Sequence, residues 1–164
     1  MTESRDELDQ VQPAGQQMTW EEYSRLCRLL AKTVAAEFRP EVIVGIAEGG
    51  VIAGATISSL LHLDFFPIKF SRRVNDQVVR KRPKLLVPPT AHLEGKRVLI
   101  VDDASISGET LRSSIRQIQS LKPQALATAV LVRRGAYSPD YYATYSKKDV
   151  NFPWLEPLPN PPDG

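Results

Sequence analysis

The stretch with the most evident chemistry joins two acids to a loop of small and hydroxyl-bearing residues. Residues 98–101 are apolar and typical of a strand buried on both faces, and Asp102 and Asp103 follow at its carboxyl end. A loop rich in small side chains comes next, and apolar periodicity predicts a helix over about 108–121. In open parallel sheets, ligands bind where strands end and helices present free N–H groups. The pattern therefore predicts a sugar-phosphate site, with amides for the phosphate and carboxylates for the sugar hydroxyls.

Two aliphatic pairs, two acids and a loop ending in Ser-Gly-Glu-Thr resemble the phosphoribosyl-pyrophosphate (PRPP) motif of type I phosphoribosyltransferases. The resemblance implies that Asp102 and Asp103, the catalytic pair, bind the ribose hydroxyls. It also implies that Mg²⁺ bridges pyrophosphate and ribose and reaches these acids indirectly, through ribose and water. The loop implied to hold the 5-phosphate contains Ala104, Ser105, Ile106, Ser107, Gly108, Glu109 and Thr110. The alternative is an ordinary Asp-Asp pair ending a strand of any doubly wound sheet.

A second candidate loop follows the first predicted strand, residues 42–46, and consists of Ala47, Glu48, Gly49 and Gly50. Paired glycines allow unusual backbone dihedrals and let main-chain N–H groups approach an anion closely. In the family that the chain resembles, the matching loop binds pyrophosphate. Taken alone, the same residues favour a plain strand-to-helix turn, but their position after a buried strand and the acid motif favour the anion-binding loop.

The segment 69–84 is strongly basic, with seven cations and one acid. The resemblance implies a flexible lid over about residues 71–96 that closes over PRPP and excludes water. Its cations would then stabilise the charge growing on the leaving pyrophosphate. The lid cations are Arg72, Arg73, Arg80 and Lys81. A solvated charged loop and an RNA-binding patch are the alternatives.

Residues 131–154 resemble the base-binding end of the bacterial xanthine/hypoxanthine-guanine subgroup. The resemblance implies that Arg134 donates to the purine 6-oxygen, since an arginine donates as a lysine does. It also implies that Val150 and Trp154 lie at the base. Tyr142 and Trp154 are equally consistent with ordinary aromatic residues of the core or its rim.

Three residues depart from the family pattern. Glu48 stands where members often carry a cation, and a carboxylate beside pyrophosphate is repulsive unless Mg²⁺ or a lid cation intervenes. Ile106 stands where related purine enzymes carry an aspartate that handles a proton of the base. Asp149 falls where the subgroup has its stacking aromatic residue. Each departure alone is tolerable, since other branches of the family lack the base aspartate, but together they weaken the case for a standard purine-salvage enzyme.

The remaining chain predicts an α/β fold in which strands and helices alternate around a parallel twisted sheet with helices on both faces. A capping box at Thr19 and Glu22 starts the first helix. We expect a phosphoribosyltransferase domain of the type I fold over residues 18–156, with a small C-terminal hood. We also expect a disordered arm over residues 1–17 and an extended Pro-rich tail over residues 157–164.

The composition of the chain limits which partners and which cellular compartment are expected. The chain has 164 residues, enough for one domain, and its net charge of +2 does not favour a nucleic acid or a membrane as partner. Cys27, the single cysteine, fits a small buried apolar residue in a reducing compartment. The polar N-terminus lacks the apolar core of a signal peptide, so we expect a cytoplasmic protein. The amphipathic first helix and the family habit suggest a homodimer.

We therefore expect an enzyme that transfers the ribose 5-phosphate of PRPP to a nitrogenous base, with release of pyrophosphate. A purine is favoured because of residues 131–154. The rival hypothesis is a catalytically weak regulatory module that binds PRPP or a nucleoside monophosphate, with Glu48 and Ile106 marking lost catalysis. An unrelated doubly wound protein is a third possibility. The enzyme and the regulatory module share the motif at 102–110. They differ at positions 48 and 106, whose residues would mark lost catalysis only in the regulatory module.

Overall fold

The computed structural model describes residues 17–71, 73–74, 77–78, 84–89 and 92–156. Apart from Gln17, the predicted arm and tail lie outside these ranges. In the described part, the helices are α1 Trp20–Glu37, α2 Gly49–Leu61 and α3 Glu109–Gln119, with a 3-10 turn at Pro153–Leu155. The strands are β1 Val42–Ala47, β2 Asp64–Ser71, β3 Arg73–Val74, β4 Gln77–Val78, β5 Lys84–Val87, β6 Arg97–Ser105, β7 Ala125–Arg133 and β8 Tyr141–Tyr145.

The main sheet has six strands in the order β5-β2-β1-β6-β7-β8. The strands β2, β1, β6, β7 and β8 run parallel, while β5 joins the β2 edge antiparallel. The short strands β3 and β4 form a separate antiparallel pair within the long connection after β2. The central strands are buried on both faces, which explains their continuous apolar runs. The predicted parallel sheet is confirmed.

Helices cover both faces of the sheet, and each face has its own apolar core. On one face, α1 and α2 contribute Leu26, Leu30 and Ile57, which pack with Leu99 and other residues of the sheet. On the opposite face, α3 contributes buried side chains that pack with alternate residues of the same strands; these include Leu111, Ile118, Val98, Ile100 and Val130. Burial of a large apolar side chain stabilises a fold by roughly 1.5–3 kcal/mol, so these two layers fix the positions of the strand ends.

The N-terminal helix α1 begins where the sequence predicts. The Glu22 N–H donates to Thr19 Oγ1 over 3.1 Å, and the Thr19 N–H donates to Glu22 Oε2 over 2.9 Å, which completes the capping box. Cys27 is fully buried in the core that α1 shares with the sheet. After β8 the chain returns to the start of α1, where the Met18 N–H donates to the Asn151 carbonyl over 2.9 Å. No helix among the described residues is long and apolar enough to cross a membrane.

The strand β6 extends further than the sequence predicts, through both acids to Ser105. It pairs with β1 only as far as Val101, but with β7 as far as Ser105. Residues 102–105 therefore continue the β7 side of the sheet beyond the point where β1 turns away. The first turn of α2 occupies the space that β1 leaves. This stagger decides which groups meet at the carboxyl edge.

Gly45 sets the distance between β1 and α2, and its replacement should disturb that edge. A Cβ at Gly45 would lie 2.6 Å from the Gly50 carbonyl oxygen and 2.6 Å from the Phe65 ring. We expect Gly45→Ala to lower the free energy of unfolding by about 1–3 kcal/mol, measured by urea denaturation. Gly54→Ala, whose Cβ would meet mainly the Phe65 ring, should cost less because a ring can shift. Equal stability of Gly45→Ala and the unmodified chain would contradict this packing.

Candidate active site

The two acids of β6 lie side by side at the carboxyl edge of the sheet. The Asp103 N–H donates to Asp102 Oδ1 over 2.9 Å, and the Ala104 N–H donates to Asp103 Oδ1 over 2.7 Å. Both side chains are half-buried. These local backbone hydrogen bonds therefore restrict the orientation of both carboxylates.

Both carboxyl groups hold their protons more tightly than ordinary aspartates do. Burial raises the pKa of Asp102 well above its usual range, and the adjacent Asp103 charge raises it further. Burial also raises the pKa of Asp103, while the hydrogen bond from the Ala104 N–H opposes that shift. Two close acids with raised pKa values are typical of a functional site, because a fold alone gains nothing from this repulsion.

The glycine loop predicted from the sequence lies directly against these acids. A Cβ at Gly49 would overlap the Asp103 carboxylate, and a Cβ at Gly50 would lie 3.0 Å from Asp102 Oδ1. Only glycine fits both positions. The two residues form the first turn of α2, whose N–H groups lack partners within the helix. The structure thus brings the 47–50 loop and the acid pair together at one point.

Glu48, which departs from the family pattern, has an ion-pair partner that the sequence analysis did not identify. Glu48 Oε1 lies 3.3 Å from Lys69 Nζ, and Lys69 pairs in register beside Ala47 at the end of β2. The Glu48 side chain is 86% exposed, so solvent screens most of its charge. The peptide bond between Ala47 and Glu48 is cis.

The loop implied to hold the 5-phosphate is shorter than the sequence suggests, because Ala104 and Ser105 belong to β6. Ser105 is buried and its hydroxyl oxygen has no hydrogen-bond partner. Ile106 and Ser107 are exposed, and Gly108 has a left-handed φ of 74° immediately before α3. The chain therefore turns sharply from the strand into the amino end of α3, where Glu109 and Thr110 form the first turn. This end of the helix favours anions.

The segment after β7 packs on this loop and holds it in place. The Arg134 N–H donates to the Ser105 carbonyl over 2.7 Å. At Gly135, where φ is 68°, a Cβ would lie 2.9 Å from the Ile106 carbonyl oxygen. The ring of Tyr137 lies on Gly108. No local pattern in the sequence points to Tyr137, because its contact partner lies almost thirty residues earlier.

Arg134, the first residue after β7, forms an ion pair with Asp149. Arg134 Nη1 lies 2.5 Å from Asp149 Oδ1, and the arginine side chain is only 19% exposed. The Arg134 Nε is buried without a hydrogen-bond partner. Arg134, which matches the family pattern, and Asp149, which departs from it, therefore form one ion pair at the end of β7.

The C-terminal aromatic residues pack mainly against protein. Trp154 stacks on Phe152 with ring centroids 4.7 Å apart and meets Tyr23 of α1 edge-on at 5.3 Å. Val150 packs partly buried on the same core. The Arg133 guanidinium lies 5.4 Å from the Tyr142 ring centroid. The aromatic residues thus have the packing of a core and its rim, which is one of the two interpretations of the sequence.

The predicted lid falls largely outside the described residues. Arg72, Arg80 and Lys81 lie outside them, and only the backbone of Arg73 is described, within β3. Within the described ranges, no group of three or more His, Cys, Asp or Glu side chains is arranged to hold a metal ion.

Comparison with known proteins agrees with this arrangement. The family described as "Phosphoribosyl transferase domain" matches residues 19–160. The chain is 31% identical over 151 residues to a xanthine-guanine phosphoribosyltransferase of Gluconobacter oxydans, and the match covers 88% of each protein. It is also 26% identical over 135 residues to the transcriptional regulator GfcR of Archaeoglobus fulgidus, covering 77% of this chain and 69% of that protein.

A solved structure shows the same fold over nearly the same length. The purine phosphoribosyltransferase of Pyrococcus horikoshii superposes with a TM-score of 0.77 and 29% sequence identity. The match covers 90% of this chain and 97% of that chain. The fold, the acid motif at the end of β6 and the extent of these matches lead to one conclusion: the chain belongs to the phosphoribosyltransferase family.

Proposed function

We propose that this protein transfers the ribose 5-phosphate of PRPP to a purine base and releases pyrophosphate. The observation that supports this most is the meeting of three groups at one edge of the sheet. The acids of β6 lie against the first turn of α2, and the loop that follows β6 leads into the amino end of α3. Two anion-favouring helix ends near two carboxylates suit a sugar that carries phosphate groups at both ends.

The roles of the chain's residues follow from this arrangement. The amides of the 47–50 loop would bind pyrophosphate, and Asp102 and Asp103 would accept hydrogen bonds from the ribose hydroxyls. The loop from Ile106 to Thr110 would hold the 5-phosphate. Cleavage of PRPP develops positive charge on the ribose, so the enzyme's main contribution is to position the reactants and stabilise charge. The negative charges of Asp102 and Asp103 near the ribose would stabilise this positive charge.

Mg²⁺ fits the chemistry of this donor set. It prefers oxygen ligands and usually binds through one or two carboxylates together with substrate phosphates, which is what two adjacent aspartates offer. When bound, the cation would neutralise part of the charge of the diphosphate. It would also reduce the repulsion from Glu48.

The base end is proposed to lie at the Arg134–Asp149 pair. Arg134 donates hydrogen bonds and Asp149 accepts them, so the pair suits an oxo group beside an N–H group on a purine. The proposal of a purine is supported by two relatives that are described as acting on purines. Ile106 offers no group to exchange a proton, so the base would lose its proton before binding or to water.

A regulatory module that binds a nucleotide on this fold is the second candidate. Glu48 and Ile106 favour it, because each removes a group that would help catalysis. Its second support is the similarity to a protein described as a transcriptional regulator.

The two candidates separate in an assay of pyrophosphate release from PRPP and Mg²⁺ with hypoxanthine, guanine, xanthine, adenine, uracil and orotate. Turnover with one or more purines supports the proposed enzyme. No turnover, together with binding of PRPP or a nucleoside monophosphate by calorimetry, supports the regulatory module. Neither turnover nor binding contradicts both.

Removal of an acid should weaken binding of PRPP. In Asp103→Ala, the ribose hydroxyls lose a charged acceptor, and hydrogen bonds to charged groups contribute about 1.5–3 kcal/mol each. We expect calorimetry with Mg²⁺ to show at least roughly a tenfold weaker affinity for PRPP. Asp64→Asn, an exposed acid at the amino end of β2, is the matched control and should bind as the unmodified chain does. Undiminished binding by Asp103→Ala would remove the acids from the site.

Reversal of the charge at Glu48 should strengthen binding of pyrophosphate. Glu48→Arg replaces repulsion by attraction and frees Lys69 from its ion pair, whereas Glu48→Gln only removes the repulsion. Two like charges at about 4 Å in water repel by about 1 kcal/mol, so the reversal should improve the affinity for pyrophosphate roughly tenfold. The gain should shrink in high salt. Calorimetry that finds the same affinity in all three proteins would place residue 48 away from the anion.

The stability of the protein should show that Asp102 serves a ligand rather than the fold. An acid with a raised pKa favours folding below its unfolded pKa of about 3.9, and that contribution is lost as pH rises through the folded pKa. Asp102→Asn keeps an oxygen for the Asp103 N–H but carries no charge. At neutral pH we therefore expect Asp102→Asn to have the higher Tm, by about 2–4 °C for each kcal/mol by which the buried charge and its repulsion from Asp103 destabilise the fold.

The difference in Tm between Asp102→Asn and the unmodified chain should become smaller as pH falls toward 4. Thermal unfolding at a series of pH values measures it. A lower Tm for Asp102→Asn at pH 7 would show that the Asp102 charge stabilises the fold.

A further inference from the structure

Tyr137 packs against the loop of residues 106–110, here called the anion loop. Its ring lies so near Gly108 that a Cβ on that glycine would overlap the ring. Gly108 is buried, has a left-handed φ of 74° and immediately precedes α3. The ring therefore rests on the residue at which the backbone changes direction between strand and helix.

Arg112 ties the same ring to the same loop from the first turns of α3. Its Nη1 donates to the Ser107 carbonyl over 2.9 Å, and its guanidinium carbon lies 4.7 Å from the centroid of the Tyr137 ring. The Arg112 N–H also donates to the Gly108 carbonyl over 2.9 Å. A cation over an aromatic face is attracted by the negative charge of that face. Arg112, Tyr137 and the loop thus form one connected unit.

We propose that Tyr137 is a positioning residue that fixes the backbone amides of residues 107–110 in the geometry that binds the 5-phosphate. The ring covers Gly108 and prevents the left-handed turn from relaxing. Arg112 holds the ring in place and occupies the Ser107 carbonyl, so that this oxygen does not turn toward an anion. An anion site works best when its donors are fixed before the ligand arrives. This inference rests on the proposed function, because the ligand is the 5-phosphate of that proposal.

Three variants test the role of Tyr137. Tyr137→Ala removes the ring, and Tyr137→Phe keeps the ring and removes only the hydroxyl. Tyr145→Ala is the matched control, because Tyr145 is also a tyrosine near an arginine guanidinium, Arg133, at 5.9 Å, but lies at the end of β8. The affinities for ribose 5-phosphate and for pyrophosphate with Mg²⁺ are measured separately by calorimetry, since the two ligands report on opposite ends of the site.

The expected result is a split between the two ligands. Tyr137→Ala should weaken binding of ribose 5-phosphate roughly tenfold and leave binding of pyrophosphate unchanged, since only the anion loop loses its fixed geometry. Tyr137→Phe and Tyr145→Ala should bind both ligands as the unmodified chain does. Equal weakening of both ligands, or no weakening of ribose 5-phosphate, would overturn the positioning role.

Amide hydrogen exchange without any ligand provides a readout that does not depend on the proposed function. In Tyr137→Ala, the amides of residues 108–112 should exchange faster, whereas those of the β7 core should not, and Tyr137→Phe should restore slow exchange. Arg112→Ala, which keeps the ring but loses its support, should show a smaller change in the same direction. If the unmodified chain binds no ribose 5-phosphate, the proposed function fails. Unchanged exchange in a folded Tyr137→Ala protein overturns the inference about Tyr137.

Discussion

The close approach of α2 to the acids of β6 is the constraint on which the rest of the site depends. Gly49 and Gly50 lie where any side chain would collide with the Asp103 carboxylate or the Asp102 backbone. That approach is possible because β1 stops pairing with β6 at Val101. The sheet therefore has a step at this edge: β6, which carries the acids, extends beyond its pairing with β1, and the amino end of α2 lies against that extension. The candidate site is the space around this step.

Electrostatics at the step are unfavourable for the fold and favourable for a ligand. Burial raises the pKa values of both Asp102 and Asp103, and the charge of Asp103 raises that of Asp102 further. Glu48 adds a third carboxylate nearby, and Lys69 is its ion-pair partner. A group of hydroxyls with a divalent cation would relieve this repulsion, because hydroxyls donate to carboxylates and the cation attracts them. The phosphates would in turn meet the two helix ends, so each part of a phosphorylated sugar has a complementary group.

Sequence reasoning predicted what depends on local pattern. The apolar run before Asp102, the capping box of α1 and the alternation of strands and helices were sufficient for the fold, because each element carries its own periodicity and start signal. The acid motif and the glycine loop could also be found, since both follow directly from a strand end. The unexpected extension of β6 to Ser105 arises from pairing with β7, which no local pattern encodes.

The contacts that sequence reasoning missed join distant parts of the chain. Tyr137 on Gly108, Lys69 with Glu48 and Arg134 with Asp149 each depend on how loops from different strands meet at the edge. Of these, the sequence indicated the two members of the Arg134–Asp149 pair separately, Arg134 as a match to the family pattern and Asp149 as a departure from it, but not that they contact each other. Trp154 shows the opposite problem, because an aromatic residue near a predicted site has the same signal whether it packs in the core or binds a ligand.

The most direct test of the account is a crystal structure of the protein with guanosine 5′-monophosphate and Mg²⁺. We expect the 5-phosphate at the backbone amides of residues 106–110, the ribose hydroxyls within hydrogen-bond distance of Asp102 and Asp103, and the base beside Arg134. A nucleotide bound elsewhere, or with its phosphate at the 47–50 loop and its ribose away from the acids, would contradict the assignment of the site.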